Sequence, residues 1–207
     1  AAILHNLMGA IAMGLGAFAQ AETSFERMKL IDPYSAENHY NLGNARSKQD
    51  KTNLAINSFQ LAILLNPEFS NAHNSLGIAL KSAGQIEPAL HSYRKAIEID
   101  PNFAEAFYNM GNLFKDEGNL EDAKRCFKSS LAIEASLCEA HFNLGVIYKT
   151  QGKLDQAINS YSQAVQVNPM LHEGYNNLGL CLQDQEDLSA ALKTFQAAVK
   201  LQPDYTD

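Results

Sequence analysis

A Leu-Gly or Met-Gly pair recurs every 34 residues along the chain, without an insertion at any step. The six pairs are Met8-Gly9, Leu42-Gly43, Leu76-Gly77, Met110-Gly111, Leu144-Gly145 and Leu178-Gly179. With the glycine placed at position 8, the copies span 2–35, 36–69, 70–103, 104–137, 138–171 and 172–205. A fixed period of this length indicates one small unit that stacks on its own copies, so it constrains the fold more than any local propensity does.

Other positions of the repeat keep the same kind of residue. Position 20 is alanine and position 24 is aromatic in all six copies, while positions 4, 7, 8 and 11 follow the spacing of one helix face. Small residues at positions 8 and 20 allow two helices to approach closely, and large residues at positions 7, 11 and 24 fill the remaining space. Each copy is therefore predicted to fold as a pair of packed helices.

Two positions predict where these helices end. Position 15 is glycine in four copies and Asp50 or Glu186 in the other two, which predicts a left-handed residue after the first helix. Position 32 is proline in five copies, and a proline cannot continue the second helix. Ala135 replaces this proline in the fourth copy, so the junction at 133–137 is predicted to be either a continuous helix or a softer hinge.

A 34-residue period with these columns resembles the tetratricopeptide repeat family over residues 2–205. The resemblance implies an all-α fold, a right-handed solenoid superhelix of six stacked helix-turn-helix repeats that forms one domain over residues 1–207. No single repeat can bury its apolar face, so the copies must stack. Thr206 and Asp207 match the first two positions of a further copy, and we expect the chain to be cut from a longer array.

The resemblance also implies that the first helices line a concave groove, where this sequence places many amides. An amide offers donors and an acceptor together, which matches the peptide group of an extended ligand. Aromatic residues at position 5 and lysines at position 12 would add apolar pockets and charge selection. The predicted peptide-binding residues are Asn41, Asn44, Asn74, Asn109, Asn112, Asn143, Asn177, Tyr40, Tyr108, Phe142, Lys81, Lys115 and Lys149. The alternatives are solvated amides and lysines that are solvated or paired between repeats.

Three functions are compatible with this pattern. The first is a protein–protein interaction scaffold that binds an extended peptide of an unidentified partner. The second follows from the asparagine column, which resembles the repeat region of the protein O-GlcNAc transferases and implies a substrate-recruiting arm with the catalytic domain outside this chain. The third is self-association through Ile3, Leu7 and Met13, because the groove positions of the first repeat are almost wholly apolar. Burial of that apolar face against an upstream repeat, or on a membrane, is the alternative to self-association.

Charge and composition exclude several other classes of partner. The net charge is −7, and no cluster of lysine and arginine could follow a phosphate backbone, so we expect no nucleic-acid partner. Residues 1–21 contain no Asp, Glu, Lys or Arg, but His5, Asn6 and Gln20 interrupt the run, so no membrane span is predicted. Three cysteines without a CxxC motif indicate thiols of a reducing compartment such as the cytoplasm.

No pattern of catalytic or metal-binding residues is found. The sequence has no P-loop, no G-x-S-x-G and no H-E-x-x-H, so this segment is not expected to be an enzyme or to hold a cofactor. Histidines recur at position 4, but stacked repeats would set them roughly 10 Å apart, too far to share an ion. We therefore expect these histidines to serve packing; they are His5, His39, His73 and His141.

Overall fold

A computed structural model describes residues 2–201 of the chain, with side chains from Leu4 onward. These residues contain helices and turns and no strand, which confirms the all-α fold class, and each repeat supplies two helices. The helices are α1 (Ala2–Gly14), α2 (Phe18–Ile31), α3 (Ala36–Ser47), α4 (Thr52–Leu65), α5 (Ser70–Ser82), α6 (Ile86–Ile99), α7 (Ala104–Asp116), α8 (Leu120–Ile133), α9 (Cys138–Thr150), α10 (Leu154–Val167), α11 (His172–Asp184) and α12 (Leu188–Leu201).

The helices form two compact units, Ala1–Asn109 and Met110–Asp207. In the first unit, each helix from α1 to α5 packs on the helix that follows it in the chain. In the second unit, the same order holds from α8 to α11. Both units are therefore built by the same rule, in which each repeat packs its own two helices together and then stacks on the next repeat.

Within a repeat, the glycine at position 8 receives the aromatic ring at position 24. A Cβ atom built on Gly43 would lie 2.5 Å from Cε1 of Phe59, and one on Gly145 would lie 2.6 Å from Cδ1 of Tyr161. The aromatic rings are almost completely buried from the first repeat to the fifth. Because no side chain larger than hydrogen fits against these rings, the glycine column sets how closely the two helices approach.

The residues at position 15 have the left-handed backbone conformation that the sequence predicts. Both residues that replace glycine there have positive φ angles, 58° for Asp50 and 67° for Glu186, like the glycines of the other repeats. At position 32, the continuous helix considered for the Ala135 junction is wrong, because α8 ends at Ile133 and α9 begins at Cys138. The turn keeps the same length as the proline-containing turns.

The histidine column explains how that turn forms without proline. Nε2 of His141 lies 3.1 Å from the carbonyl oxygen of Ala135, and His39 makes the same contact with Pro33 at 2.9 Å. His73 repeats it with Pro67 at 2.9 Å. The imidazole at position 4 of one repeat therefore lies within hydrogen-bond distance of the carbonyl at position 32 of the preceding repeat, whether or not that residue is proline.

The first helices have a second buried face, which the sequence analysis did not identify. Positions 3 and 10 are buried from the second repeat to the sixth, although only positions 4, 7, 8 and 11 were assigned to packing. At position 3, the amide nitrogen of Asn38 donates to the carbonyl oxygen of Phe25 in the preceding repeat, at 3.2 Å. Within the two units, each of the first helices α3, α5, α9 and α11 is thus covered by its own second helix and also by the second helix before it.

Candidate peptide-binding surface

In the first unit, amide side chains of neighbouring repeats bind each other. Nδ2 of Asn109 on α7 donates to Oδ1 of Asn74 on α5 at 3.1 Å. Nδ2 of Asn74 in turn donates to Oε1 of Glu105 at 3.3 Å. Asn74 is buried, whereas Asn109 is only half-buried. We call Asn74, Glu105 and Asn109 the first amide cluster.

In the second unit, a similar group carries a lysine instead of a glutamate. Nδ2 of Asn143 on α9 donates to Oδ1 of Asn112 on α7 at 3.0 Å, and Nζ of Lys115 donates to Oδ1 of Asn143 at 2.9 Å. Asn143 is buried, and Asn112 and Lys115 are half-buried. We call Asn112, Lys115 and Asn143 the second amide cluster.

The two clusters share a design that follows from the repeat. Each has one buried amide, Asn74 or Asn143, whose oxygen and nitrogen both have partners, and one half-buried amide, Asn109 or Asn112, which makes a single side-chain hydrogen bond. A carboxamide has two N–H donors and an oxygen with two lone pairs. The half-buried amides therefore keep hydrogen-bonding capacity and are held in place by the buried ones. The clusters differ in charge, since one contains Glu105 and the other Lys115.

The remaining predicted amides are not part of these clusters. Nδ2 of Asn177 donates to the carbonyl oxygen of Glu173 within its own helix, at 2.9 Å. Asn41 and Asn44 are half-buried on α3, and neither makes a side-chain hydrogen bond within the part of the chain that the structure describes. The seven predicted amides thus comprise two hydrogen-bonded pairs and three amides outside the clusters.

Position 5 faces the core more than the sequence analysis predicted. The ring of Tyr40 lies 4.9 Å from that of Phe69 and 6.0 Å from that of Phe59, measured between ring centroids. Phe142 contacts the buried ring of Tyr161 at 5.5 Å. Tyr40 and Phe142 are half-buried, so each ring packs on the core and also keeps part of its surface open. Tyr108 is also half-buried.

The lysine column lies beside the amides at position 12. Lys81, Lys115 and Lys149 are all half-buried, so their stems lie against the protein.

Lys149 is close enough to Cys181 for its charge to favour the thiolate, yet burial is the larger effect and raises the pKa of the Cys181 thiol. Burial also raises the pKa of the Cys138 thiol. All three cysteines are buried, and the raised pKa values of Cys138 and Cys181 keep these two thiols protonated and poorly reactive at neutral pH.

The apolar residues proposed for self-association in the first repeat differ in exposure. Leu7 is exposed, and Met13 is half-buried and packs against a buried cluster of Ala12, Ala21, Phe25, Leu42 and Ala45. The side chain of Ile3 lies outside the described residues. The other exposed apolar residues of α1 and its following turn are Leu4, Met8, Ile11 and Leu15.

Among residues 2–201, no group of three or more His, Cys, Asp and Glu side chains has an arrangement that could hold a metal ion. None of the helices in residues 2–201 combines the length and the hydropathy needed to span a bilayer.

Comparisons with known proteins agree with this architecture. Tetratricopeptide repeat models match residues 36–69, 104–136, 138–171 and 172–205, and a model described as TPR repeat matches residues 79–118. No curated protein sequence matches the chain significantly.

Solved structures of other repeat proteins have the same fold. Pseudomonas aeruginosa pilF is 18% identical with a TM-score of 0.86, over 98% of this chain and 92% of that one. MamA is 22% identical with a TM-score of 0.71, over 78% and 95%. YrrB is 19% identical with a TM-score of 0.69, over 87% and 93%. Together with the repeat models that cover most of its length, these matches show that the chain belongs to the tetratricopeptide repeat family.

Proposed function

We propose that this chain is a protein–protein interaction scaffold that binds an extended segment of its partner through the first helices of its repeats. The observation that carries the proposal is the pair of amide clusters, in which buried asparagines hold half-buried ones in fixed positions. Asparagine is a poor residue for the middle of a helix, so its recurrence there favours a role in binding. Polar groups that are already ordered lose little entropy when a ligand arrives.

The charges of the clusters add selectivity to this contact. Within each unit, a peptide backbone would use the half-buried amide of the cluster, Asn109 in the first unit and Asn112 in the second, since each retains donors and acceptors. Lys115 would favour an acidic ligand side chain near the second cluster, and Glu105 would favour a basic one near the first. Among the structural relatives, YrrB is described as a TPR protein with an unusual peptide-binding site, which supports peptide binding as a use of this fold.

The test uses random unstructured peptides as the probe. Binders are selected from a random peptide display library against the 207-residue chain, and their affinities for variants are measured by calorimetry. We expect Asn109→Ala and Asn112→Ala each to weaken selected peptides about fivefold, because each removes a hydrogen bond of about 1 kcal/mol. Each substitution should also lower the free energy of unfolding by about 1–3 kcal/mol, because it leaves one polar atom of a buried partner amide without its hydrogen bond, so affinities are compared at a temperature where all variants are folded.

The matched control is Asn57→Ala, an exposed asparagine on the second helix α4, which should leave affinity unchanged. Asn143→Ala is a poorer test, because it would leave Lys115 and Asn112 without the partner that orders them. The proposal is wrong if every selected peptide binds Asn109→Ala and Asn112→Ala as tightly as the wild-type chain.

A further inference from the structure

The hydrogen bonds of the first amide cluster run in one direction. A carboxylate only accepts hydrogen bonds, so Asn74 must turn its Nδ2 group towards Oε1 of Glu105, which lies 3.3 Å away. The Oδ1 atom of Asn74 then faces Asn109 and accepts from its Nδ2 group at 3.1 Å. The carboxylate therefore decides how both amides are turned, and it leaves the Oδ1 atom of Asn109 available as an acceptor.

The hydrogen bonds of the second amide cluster run in the opposite direction. The ammonium group of a lysine only donates, so Lys115 must meet the Oδ1 atom of Asn143, which lies 2.9 Å away. Nδ2 of Asn143 then donates to Oδ1 of Asn112 at 3.0 Å, and the Nδ2 group of Asn112 keeps both of its hydrogens. The charged residue of each cluster thus decides whether the half-buried amide offers mainly an acceptor or mainly donors.

The acceptors of the first cluster belong to one helix and are ordered by one side chain. Glu105 and Asn109 are four residues apart on α7, which places their Cβ atoms roughly 5–6 Å apart. Both are held by Asn74, which is only 3% exposed and uses its nitrogen for one and its oxygen for the other. Within residues 2–201, no lysine or arginine forms an ion pair with Glu105, and its side chain is exposed. A charged and a neutral acceptor are therefore accessible to a ligand side by side.

The carboxylate of Glu105 is also close enough to a buried hydroxyl to influence it. Burial raises the pKa of the Tyr93 hydroxyl, and the negative charge of Glu105 raises it further. Tyr93 is only 1% exposed, so the carboxylate lies partly against the protein interior. Attraction between this carboxylate and a cation is therefore screened less than it would be between two groups surrounded by water.

We propose that the first amide cluster binds an arginine side chain of the partner segment, with Glu105 as its charged acceptor and the Oδ1 atom of Asn109 as its neutral acceptor. This assignment rests on the scaffold function proposed above, since it takes the partner segment to lie along the first helices. A guanidinium presents five N–H donors in a planar fork, so it reaches two separate acceptors at once. The ammonium of lysine is a single point of charge and satisfies such a pair less well.

The test uses peptides selected by display against the 207-residue chain, restricted to those that Asn109→Ala weakens. Calorimetry compares each arginine peptide with versions that carry lysine or citrulline, a neutral isostere of arginine, at the same place. We expect citrulline to weaken binding about tenfold, because the charge is lost, and lysine to weaken it about threefold, because the fork is lost. Glu105→Gln should weaken the arginine peptide about tenfold and leave the citrulline peptide almost unchanged.

Glu173→Gln is the matched control for the loss of charge. Glu173 is exposed and has the same position in the sixth repeat, but position 5 of the preceding repeat is Phe142, which has no amide. This variant should leave the affinities of these peptides unchanged. Glu105→Gln keeps an oxygen that accepts from Asn74, so thermal unfolding followed by circular dichroism should stay close to that of the wild type.

The outcomes separate this assignment from the scaffold function. Peptides that depend on Asn109 but contain no arginine, or that bind Glu105→Gln as tightly as the wild type, would overturn the arginine site and leave the scaffold standing. Selected peptides that only Asn112→Ala weakens would have the same meaning. Equal affinities of arginine and lysine peptides would replace the arginine site by a general site for cations. If neither Asn109→Ala nor Asn112→Ala weakens any selected peptide, the scaffold function fails and the arginine site fails with it.

Discussion

At position 15 of each repeat, the backbone angle decides which residue is favourable. Gly84 and Gly152 have φ angles of 72° and 68°, and Glu186 is held at 67° in the equivalent place. A side chain with a Cβ atom is strained in this left-handed region, whereas glycine adopts it without strain. Asp50 tolerates the region better, because its short polar side chain is one of those that visit it.

We expect Glu186→Gly to raise the free energy of unfolding by about 1 kcal/mol, since the strain of a left-handed residue is partly offset by the greater freedom of glycine in the unfolded chain. Urea unfolding followed by circular dichroism measures the change. Glu186→Ala is the control and should give no such gain, because alanine also has a Cβ atom. An equal gain from both substitutions would show that the glutamate side chain, and not the φ angle, is unfavourable.

Between the elements α2 and α3, a cluster of ion pairs holds the first two repeats together. The guanidinium of Arg46 contacts Glu26 and lies 3.1 Å from Glu22, and Nζ of Lys51 lies 2.6 Å from Glu22. Burial by itself would raise the pKa of Glu22. Hydrogen bonds from Lys51, Arg46 and Gln49 together outweigh that effect, so the pKa lies below its usual value.

A lowered pKa in the folded state makes this junction sensitive to acid. The stabilisation is fully present above the unfolded-state pKa of about 4.3 and is lost as the pH falls through the lower folded-state value. We therefore expect the stability of Glu22→Gln to fall less steeply than that of the wild type as the pH drops below about 5. Thermal unfolding at a series of pH values measures this slope.

A double-mutant comparison provides the control for that measurement. In a Lys51→Met background, which removes one of the hydrogen bonds that lower the Glu22 pKa, Glu22→Gln should change the acid slope less. Identical slopes for Glu22→Gln and the wild type would contradict the role assigned to this carboxylate.

In the whole molecule, a perturbation of one repeat should remain near that repeat, because contacts join each repeat mainly to its neighbours. Gly145→Ala places a methyl group against the buried ring of Tyr161, and overpacking of this kind costs about 1–3 kcal/mol. We expect amide hydrogen exchange to become roughly tenfold to a hundredfold faster in α9 and α10, with little change in α1 to α4.

Gly14→Ala is the control for this experiment, since a Cβ atom built on Gly14 meets no atom within 4 Å. It should leave exchange in every helix close to the wild-type rate. Equal acceleration of exchange in all twelve helices after Gly145→Ala would show that the chain opens as one cooperative unit and not repeat by repeat.

The sequence by itself determined the features that depend on spacing within one repeat. The helix pair, the glycine–aromatic contact between Gly145 and Tyr161, and the left-handed residue at position 15 were all predictable, because each involves residues close together in the chain. The amide-rich side of the first helices was likewise visible as a column of asparagines.

Only the tertiary structure decided what happens between repeats. The ring contacts at position 5, the second packing face at positions 3 and 10, and the bond that joins Asn74 to Asn109 all depend on which neighbouring helix covers a given side chain. The repeat period does not determine the register in which helices of neighbouring repeats stack, because many registers would bury the same apolar residues.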